Sequence, residues 1–379
     1  MTDERRPWLK NYPPGVPADI GPLPHATIPA LLAGSVARFG DRPAFENFGV
    51  QMSYAELDRL SRDFAAYLQS GLGLRKGDRV AVMMPNILQY PIALFGILRA
   101  GLIVVSVNPL YTARELEHQL KDSGAAAIVI FEGAAATLQS ILRATPVKHV
   151  IVAAVGDMLG FVKGMLINFV LRRVKKMVPD WNIAAAVRFP EALAAGQGLS
   201  FTAPAVDTDD LAFLQYTGGT TGVSKGAMLK HRNVLADVAQ VQVYFTGHVS
   251  EGTEVAVAPL PFYHILALVL NCMMHLALGS RQILVTIHLL RRREHALQRA
   301  RPQRRVREAR LQQGARVRRR RSALAAGGGE TVEGDHRQAA GRGVRPHRDL
   351  RCGDGQSAQH QRAHRDDRIS AAQYRSGNS

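Results

Sequence analysis

Tyr216-Thr217-Gly218-Gly219-Thr220-Thr221-Gly222-Val223-Ser224-Lys225-Gly226 concentrates more chemistry than any other stretch of the 379-residue chain. Glycine tolerates positive φ and lets a backbone come close to a ligand. Successive exposed N–H groups then form an anion-binding concavity. The hydroxyls of Thr217, Thr220, Thr221 and Ser224 add donors, and Lys225 adds a positive charge. Together these groups suit a polyphosphate. The run is not a Walker loop, which needs Gly-Lys-Ser/Thr; here Lys225 stands between Ser224 and Gly226. The bland alternative is a flexible Gly/Ser/Thr linker. Against it, the run follows the apolar Leu211–Tyr216, which reads as a strand, and linkers rarely carry this order between two apolar segments.

A second stretch, Pro259-Leu260-Pro261-Phe262-Tyr263-His264, lies a short way downstream. Taken alone, His264 reads either as a hydrogen-bonded core histidine or as a site residue. Together the two stretches closely resemble signatures of the acyl-adenylate-forming superfamily of acyl-CoA synthetases, luciferases and peptide-synthetase adenylation domains. The resemblance implies ATP binding, with Tyr216, Thr217, Gly218, Gly219, Thr220, Thr221, Gly222, Ser224, Lys225 and Gly226 around the β- and γ-phosphates. It implies Phe262 and His264 beside the acyl carboxylate, with His264 as the catalytic candidate. It further implies a carboxylate attacking the α-phosphorus, Mg2+ accompanying ATP, and CoA as the thiol that displaces AMP. No metal ligand is assigned in this chain.

These groups need a scaffold. Thr27–Phe39 carries an apolar stripe at helical spacing, and Pro43–Phe48 reads as a short strand. Ser53-Tyr54-Ala55-Glu56 and Thr112-Ala113-Arg114-Glu115 are capping boxes opening two further helices. Strands are expected at Arg79–Met84, Leu102–Val107, Ala125–Phe131 and Lys148–Ala153, with a helix over Ile87–Ala100. Such alternation predicts an α/β fold with doubly wound, mostly parallel sheets. Residues 182–210 read as a loop-rich connection. After them come a helix over His231–Val243, a strand over Glu254–Ala258, a buried helix over Ile265–Gly279 and a last strand at Ile283–Thr286.

Charge divides the chain. Residues 288–379 hold 23 Arg, no Lys and 9 acidic residues, or +14 of the total +17. Tyr374 is their only aromatic residue, so the segment is expected to be poorly ordered for want of apolar surface. Three readings compete for it: a cationic arm for nucleic acid, a solvated charge run, or sequence read out of frame. Arg, Ala and Gly without Lys favours the last, and nucleic acid is disfavoured as a partner because the tail has no aromatic platform or recognition motif. The expected division is an irregular Pro- and Gly-rich arm over 1–24, a partial adenylation domain over 25–287, and the tail over 288–379. Cys272 and Cys352 imply no disulfide framework, and the N-terminus lacks a signal-peptide core. The cytoplasm is the default compartment.

Residues 157–181 stand apart. Phe161, Met165, Leu166, Phe169, Val170 and Val174 can share one face, and Arg172, Arg173, Lys175 and Lys176 cluster at the C-terminal end. The segment reads either as a helix packed on its own domain or as one lying at the inner face of an anionic membrane. It also looks like an insertion found in bacterial long-chain fatty-acid–CoA ligases, which implies long acyl chains as substrate; a ligase for an aryl or medium-chain acid is the alternative. The family's Tyr-Gly-x-Thr-Glu motif, whose glutamate binds magnesium, its ribose-binding Thr-Gly-Asp motif and its catalytic lysine have no counterpart in the later chain. Loss of activity is therefore expected for these 379 residues by themselves.

Overall fold

A computed structural model describes residues 6–217, 224–245 and 247–286. All belong to one unit, Met1–Arg304; the second unit, Arg305–Ser379, lies outside the described residues. The expectations for the 288–379 tail therefore lie outside them too.

In chain order the main elements are α1 (Ile28–Phe39), β1 (Pro43–Asn47), β2 (Val50–Ser53), α2 (Tyr54–Ala66), β3 (Arg79–Met83), α3 (Gln89–Arg99), β4 (Ile103–Ser106) and α4 (Ala113–Ser123). There follow β5 (Ala127–Phe131), α5 (Ala135–Ile141), β6 (His149–Ala153), α6 (Phe161–Phe169), β7 (Ala186–Arg188) and α7 (Phe189–Gln197). The rest are β8 (Leu211–Thr217), β9 (Lys225–Lys230), α8 (His231–Tyr244), β10 (Val255–Ala258), three helical pieces end to end (Ile265–Ala267, Leu268–Met274, His275–Ala277) and β11 (Arg281–Leu284).

Both capping boxes form. Ser53 Oγ accepts the Glu56 amide at 3.1 Å while Glu56 Oε2 accepts the Ser53 amide at 3.2 Å. At α4 the Thr112 amide donates to Glu115 Oε2 at 2.7 Å, and Gly124 ends the helix in the left-handed region at φ 61°.

The larger sheet runs β7-β6-β5-β3-β4-β8-β9, parallel throughout except for the antiparallel β8–β9 pair. The smaller runs β10-β11-β1-β2, with only β1–β2 antiparallel. Alternate strand residues feed two separate cores. Val80, Val82, Val104 and Val129 join the cluster that includes Leu57, Phe64, Phe95 and Phe189 of the helices α2, α3 and α7. Ala81, Met83, Val105 and Ile130 join the one with Leu116 and Leu120 of α4 and Leu138 of α5. A parallel sheet covered on both faces is what near-continuous apolar strands require.

The loop-rich expectation for 182–210 is corrected: β7 and α7 lie there. Phe189, Ala192, Leu193 and Gly196 recur at helical spacing and are the buried side of α7. The Phe189 ring sits 5.1 Å from that of Phe64. Gly196 approaches α2 so closely that a Cβ would fall 1.9 Å from the Asp63 carbonyl. A helix this short and rich in Ala and Gly has a weak sequence signature, because its reason for existing is close backbone contact.

Candidate functional site

β8 and β9 form a hairpin, and its register places the polyphosphate run. Tyr216 pairs with Gly226 and Thr217 with Lys225. Gly218, Gly219, Thr220, Thr221 and Gly222 lie outside the described residues, between these paired ends. Thr217 and Lys225 are exposed at the neck. Ser224 Oγ donates to the Thr217 carbonyl at 2.7 Å, so this hydroxyl closes the neck.

Two members of the run face inward and serve the scaffold. Tyr216 is buried with the α4–α5 core, and its hydroxyl donates to Asp122 Oδ2 at 2.5 Å. Burial, then the Asp122 carboxylate, push the Tyr216 phenol well above its ordinary range, so it stays a donor. Gly226 lies in β9 across from that ring; a Cβ there would meet Tyr216 Cε2 at 2.9 Å. Its glycine is thus accounted for by cross-strand packing. Within the described residues the contacts of Tyr216 and Gly226 are with α4 and with each other.

α4 clamps the hairpin from one side. His118 Nε2 donates to the Ser224 carbonyl at 3.1 Å, and Asp122 takes the Tyr216 hydroxyl. These residues are four apart and so share a helix face. Sequence reading passed over both; the signal available was their i,i+4 spacing on a capped helix.

The Pro259–His264 stretch is fastened by a residue far away in the sequence. Asn86, buried at the end of β3, donates through Nδ2 to the carbonyls of Ala258 and Leu260 at 3.0 and 2.8 Å. Its Oδ1 accepts the Phe262 amide at 2.8 Å, and its carbonyl accepts Thr286 Oγ1 at 3.1 Å. Phe262 has no exposed surface; its ring packs edge-on to Tyr90 and Phe45 at 5.7 and 6.4 Å. The Phe262 side chain is thus a buried wedge that fixes the backbone next to His264. His264 is exposed, which removes the core-histidine reading. Its amide donates to the Pro261 carbonyl at 3.0 Å, and its carbonyl accepts the Leu268 amide at 2.9 Å as the following helix begins.

Gln215 joins the two halves. Its Nε2 donates to the Tyr263 carbonyl at 3.0 Å, while its Oε1 is buried without a partner among the described residues. Hairpin neck and His264 stretch both follow the C-terminal ends of strands, β8 and β10. Beside the His264 stretch a small apolar hollow is lined by Asn86, Leu110, Pro261, Tyr263 and Thr286, from the segments that follow β3, β4, β10 and β11. Ligands of open parallel sheets bind outside those ends.

The chain matches the AMP-binding enzyme family over residues 32–305. It belongs to that family. As an AMP-binding enzyme chain it is 52% identical over 282 residues to the long-chain-fatty-acid–CoA ligase of Salmonella typhimurium (strain LT2), covering 74% of this chain and 50% of that protein. It is 36% identical over 283 residues to the ligase of the same name from Bacillus subtilis (strain 168). The chain thus spans about half the length of the curated relatives it matches. The fold of a long-chain-fatty-acid-CoA ligase crystal structure from Archaeoglobus fulgidus superposes with a TM-score of 0.56 at 24% identity, over 73% of this chain and 50% of that one.

For a nucleotide's phosphates the residues present fit: Lys225 and Thr217 are exposed at a hairpin neck, at the strand ends. For a metal, no group of three or more His, Cys, Asp or Glu side chains converges among the described residues. Any Mg2+ would arrive held by the phosphates, with at most limited help from these side chains.

Proposed function

We propose that this chain supplies the phosphate- and acyl-handling part of an ATP-dependent long-chain fatty acid–CoA ligase. The observation that carries the reading is the Gln215–Tyr263 link, which ties the polyphosphate hairpin of the larger sheet to the backbone beside His264, just past a strand of the smaller sheet. Activating a carboxylate on ATP demands that acid and α-phosphorus be held in line, and most of the barrier reduction in such transfers comes from positioning and charge stabilisation. Lys225 and the hydroxyls of Thr217, Thr220 and Thr221 would offset charge on the β- and γ-phosphates, with Gly218, Gly219 and Gly222 leaving the backbone room to approach. His264 would orient the carboxylate. CoA would then take the acyl group as a thioester and release AMP.

The 379 residues by themselves hold no counterpart of the magnesium glutamate motif or of the catalytic lysine, so we propose that this chain alone binds ATP but does not turn over. The substrate class rests on the name shared by relatives about half identical to the chain. Its place of work would be the cytoplasm, with peripheral contact at the inner membrane face through residues 157–181.

Purified chain incubated with palmitate, ATP-Mg and CoA tests this directly. No palmitoyl-CoA is expected, whereas nucleotide binding is expected and should fall when Lys225 is replaced. Normal palmitoyl-CoA formation would overturn the inactivity; absence of any ATP binding would overturn the role assigned to the hairpin.

A further inference from the structure

Three buried polar groups converge behind the hairpin, each without a hydrogen-bond partner among the described residues: the Tyr90 hydroxyl, Ser106 Oγ and Gln215 Oε1. Tyr90 is 0% exposed, Ser106 4% and Gln215 7%, so bulk solvent does not reach them. Their convergence follows from the topology. Ser106 and Gln215 are register partners on the adjacent parallel strands β4 and β8, whose spacing is about 5 Å. Two residues earlier, the register pair Val104 and Phe213 belongs to the core that also holds Tyr90 of α3. Side chains recur on one face of a strand at every second residue. Ser106 and Gln215 therefore face α3 and Tyr90.

Two contacts close the ring of residues. The Tyr90 ring packs edge-on to Phe262 at 5.7 Å. Gln215 Nε2 donates to the carbonyl of the next residue, Tyr263, at 3.0 Å. Burial pushes the Tyr90 phenol well above its ordinary range and the nearby Ser106 hydroxyl opposes that push, yet no two of the three groups meet in bonding geometry.

The donors and acceptors select the occupant. Gln215 commits Nε2 to a carbonyl, so its Oε1 needs a donor. The Tyr90 and Ser106 hydroxyls can each donate and accept. Besides burial, the groups acting on the Tyr90 phenol are Cys272, Ser106 and Tyr263, with no carboxylate among them. A buried cation would have nothing to neutralise it. Water, neutral and able both to donate and to accept, suits all three groups at once, and it is the usual partner of buried polar groups that the chain leaves unpaired.

We propose that Tyr90, Ser106 and Gln215 bind one internal water molecule, which accepts a hydrogen bond from the Tyr90 hydroxyl and donates to Gln215 Oε1 and Ser106 Oγ. The water fixes the Gln215 amide from behind, so that Nε2 stays on the Tyr263 carbonyl. Elements α3, β4 and β8 thereby act together on the backbone beside His264.

The test uses Tyr90→Phe and Ser106→Ala, alone and together, in the full chain. A dry site and a hydrated one predict opposite signs. If dry, each substitution removes a buried unpaired hydroxyl and lowers the unfolding equilibrium constant. If hydrated, each strips a bond from the bound molecule, and that constant, read by urea titration, should rise roughly five- to tenfold. The double variant should cost less than the product of the two single effects, because both act through one molecule. Oxygen-17 relaxation dispersion of the solvent supplies an independent count: the parent should hold about one more long-lived internal water than the double variant. A Gln215→Met chain should lose the same water, and adding Tyr90→Phe to it should remove no other. Stabilisation by either single substitution, strictly multiplicative effects, or an unchanged water count would overturn the proposal. No nucleotide, acid or CoA enters these measurements, so their failure leaves the ligase reading standing, and the palmitate assay decides that reading alone.

Discussion

Asn86 holds Phe262: the side-chain Oδ1 of one accepts the backbone amide of the other at 2.8 Å, across 176 residues of sequence. Through the same side chain, Ala258 and Leu260 are tied to the end of β3. One buried side chain thus makes three of the hydrogen bonds that hold the stretch leading to His264, and Gln215 adds another at the Tyr263 carbonyl.

Replacing Asn86 by Ala should unfasten it. Three hydrogen bonds vanish, and the Leu260 carbonyl and the Phe262 amide lose the Asn86 side chain while the Ala258 carbonyl keeps the Val285 amide, at a cost of about 2–4 kcal/mol. Asn86→Asp should not rescue the loss, because a carboxylate oxygen would face the Ala258 and Leu260 carbonyls. Urea unfolding of the three chains reads both effects; a loss under about 1 kcal/mol for the Ala variant would show that the stretch is held elsewhere.

At the hairpin, Gly226→Ala should push on the Tyr216 ring, which its new Cβ would meet at 2.9 Å, and destabilise by about 1–3 kcal/mol. The same change made on a Tyr216→Ala background should cost far less, since the ring is gone. Strictly additive energies in this cycle would dissociate the two residues. Tyr216→Phe keeps the ring and removes one hydrogen bond to the exposed Asp122, and should cost about 0.5–1.5 kcal/mol.

Lys225 is exposed at the hairpin neck, so Lys225→Met should leave stability alone. Triphosphate binding should weaken on the order of tenfold, the loss of one charge-assisted contact. Calorimetric titration with ATP-Mg distinguishes this from a structural effect, for which melting temperature and affinity would fall together.

His231 predicts an acid limb of the stability curve. It is 2% exposed, and its Nδ1 accepts the Ile28 amide at 3.2 Å, which requires that nitrogen to be unprotonated. Burial pushes its pKa down to about 4; the Asp210 carboxylate opposes the fall and Lys76 adds to it. The unfolded chain takes up this proton near the ordinary value of about 6.5. Stability from the neutral imidazole is thus complete above that pH and drains away between about 6.5 and 4, by about 2–3 kcal/mol. Burial lowers the His275 pKa as well, in the same direction. His231→Asn keeps an acceptor without the titration, so its unfolding free energy should change less than the parent's between about pH 7.5 and about pH 3.5, a window that brackets the two pKa values. Parallel curves would clear His231 of the effect.

The amino-acid sequence by itself was enough for the elements whose signals are local. The capping boxes at Ser53 and Thr112 and the apolar strands through Ala127–Phe131 and His149–Ala153 declare themselves within a few residues, because capping and burial on both faces leave short-range patterns, and the glycine-hydroxyl-lysine run is as local a signal. Family membership was legible for the same reason. What the tertiary structure decided depends on partners distant in the chain. Phe262 proved to be a core wedge and Gly226 a seat for the Tyr216 ring; Asn86, His118 and Asp122 emerged as the residues that hold the site. Above all, periodicity revealed that α6 has an apolar face but not which way it points. That was settled by two glycines in contact, Gly156 and Gly164, since backbones can meet so closely only where neither residue carries a side chain.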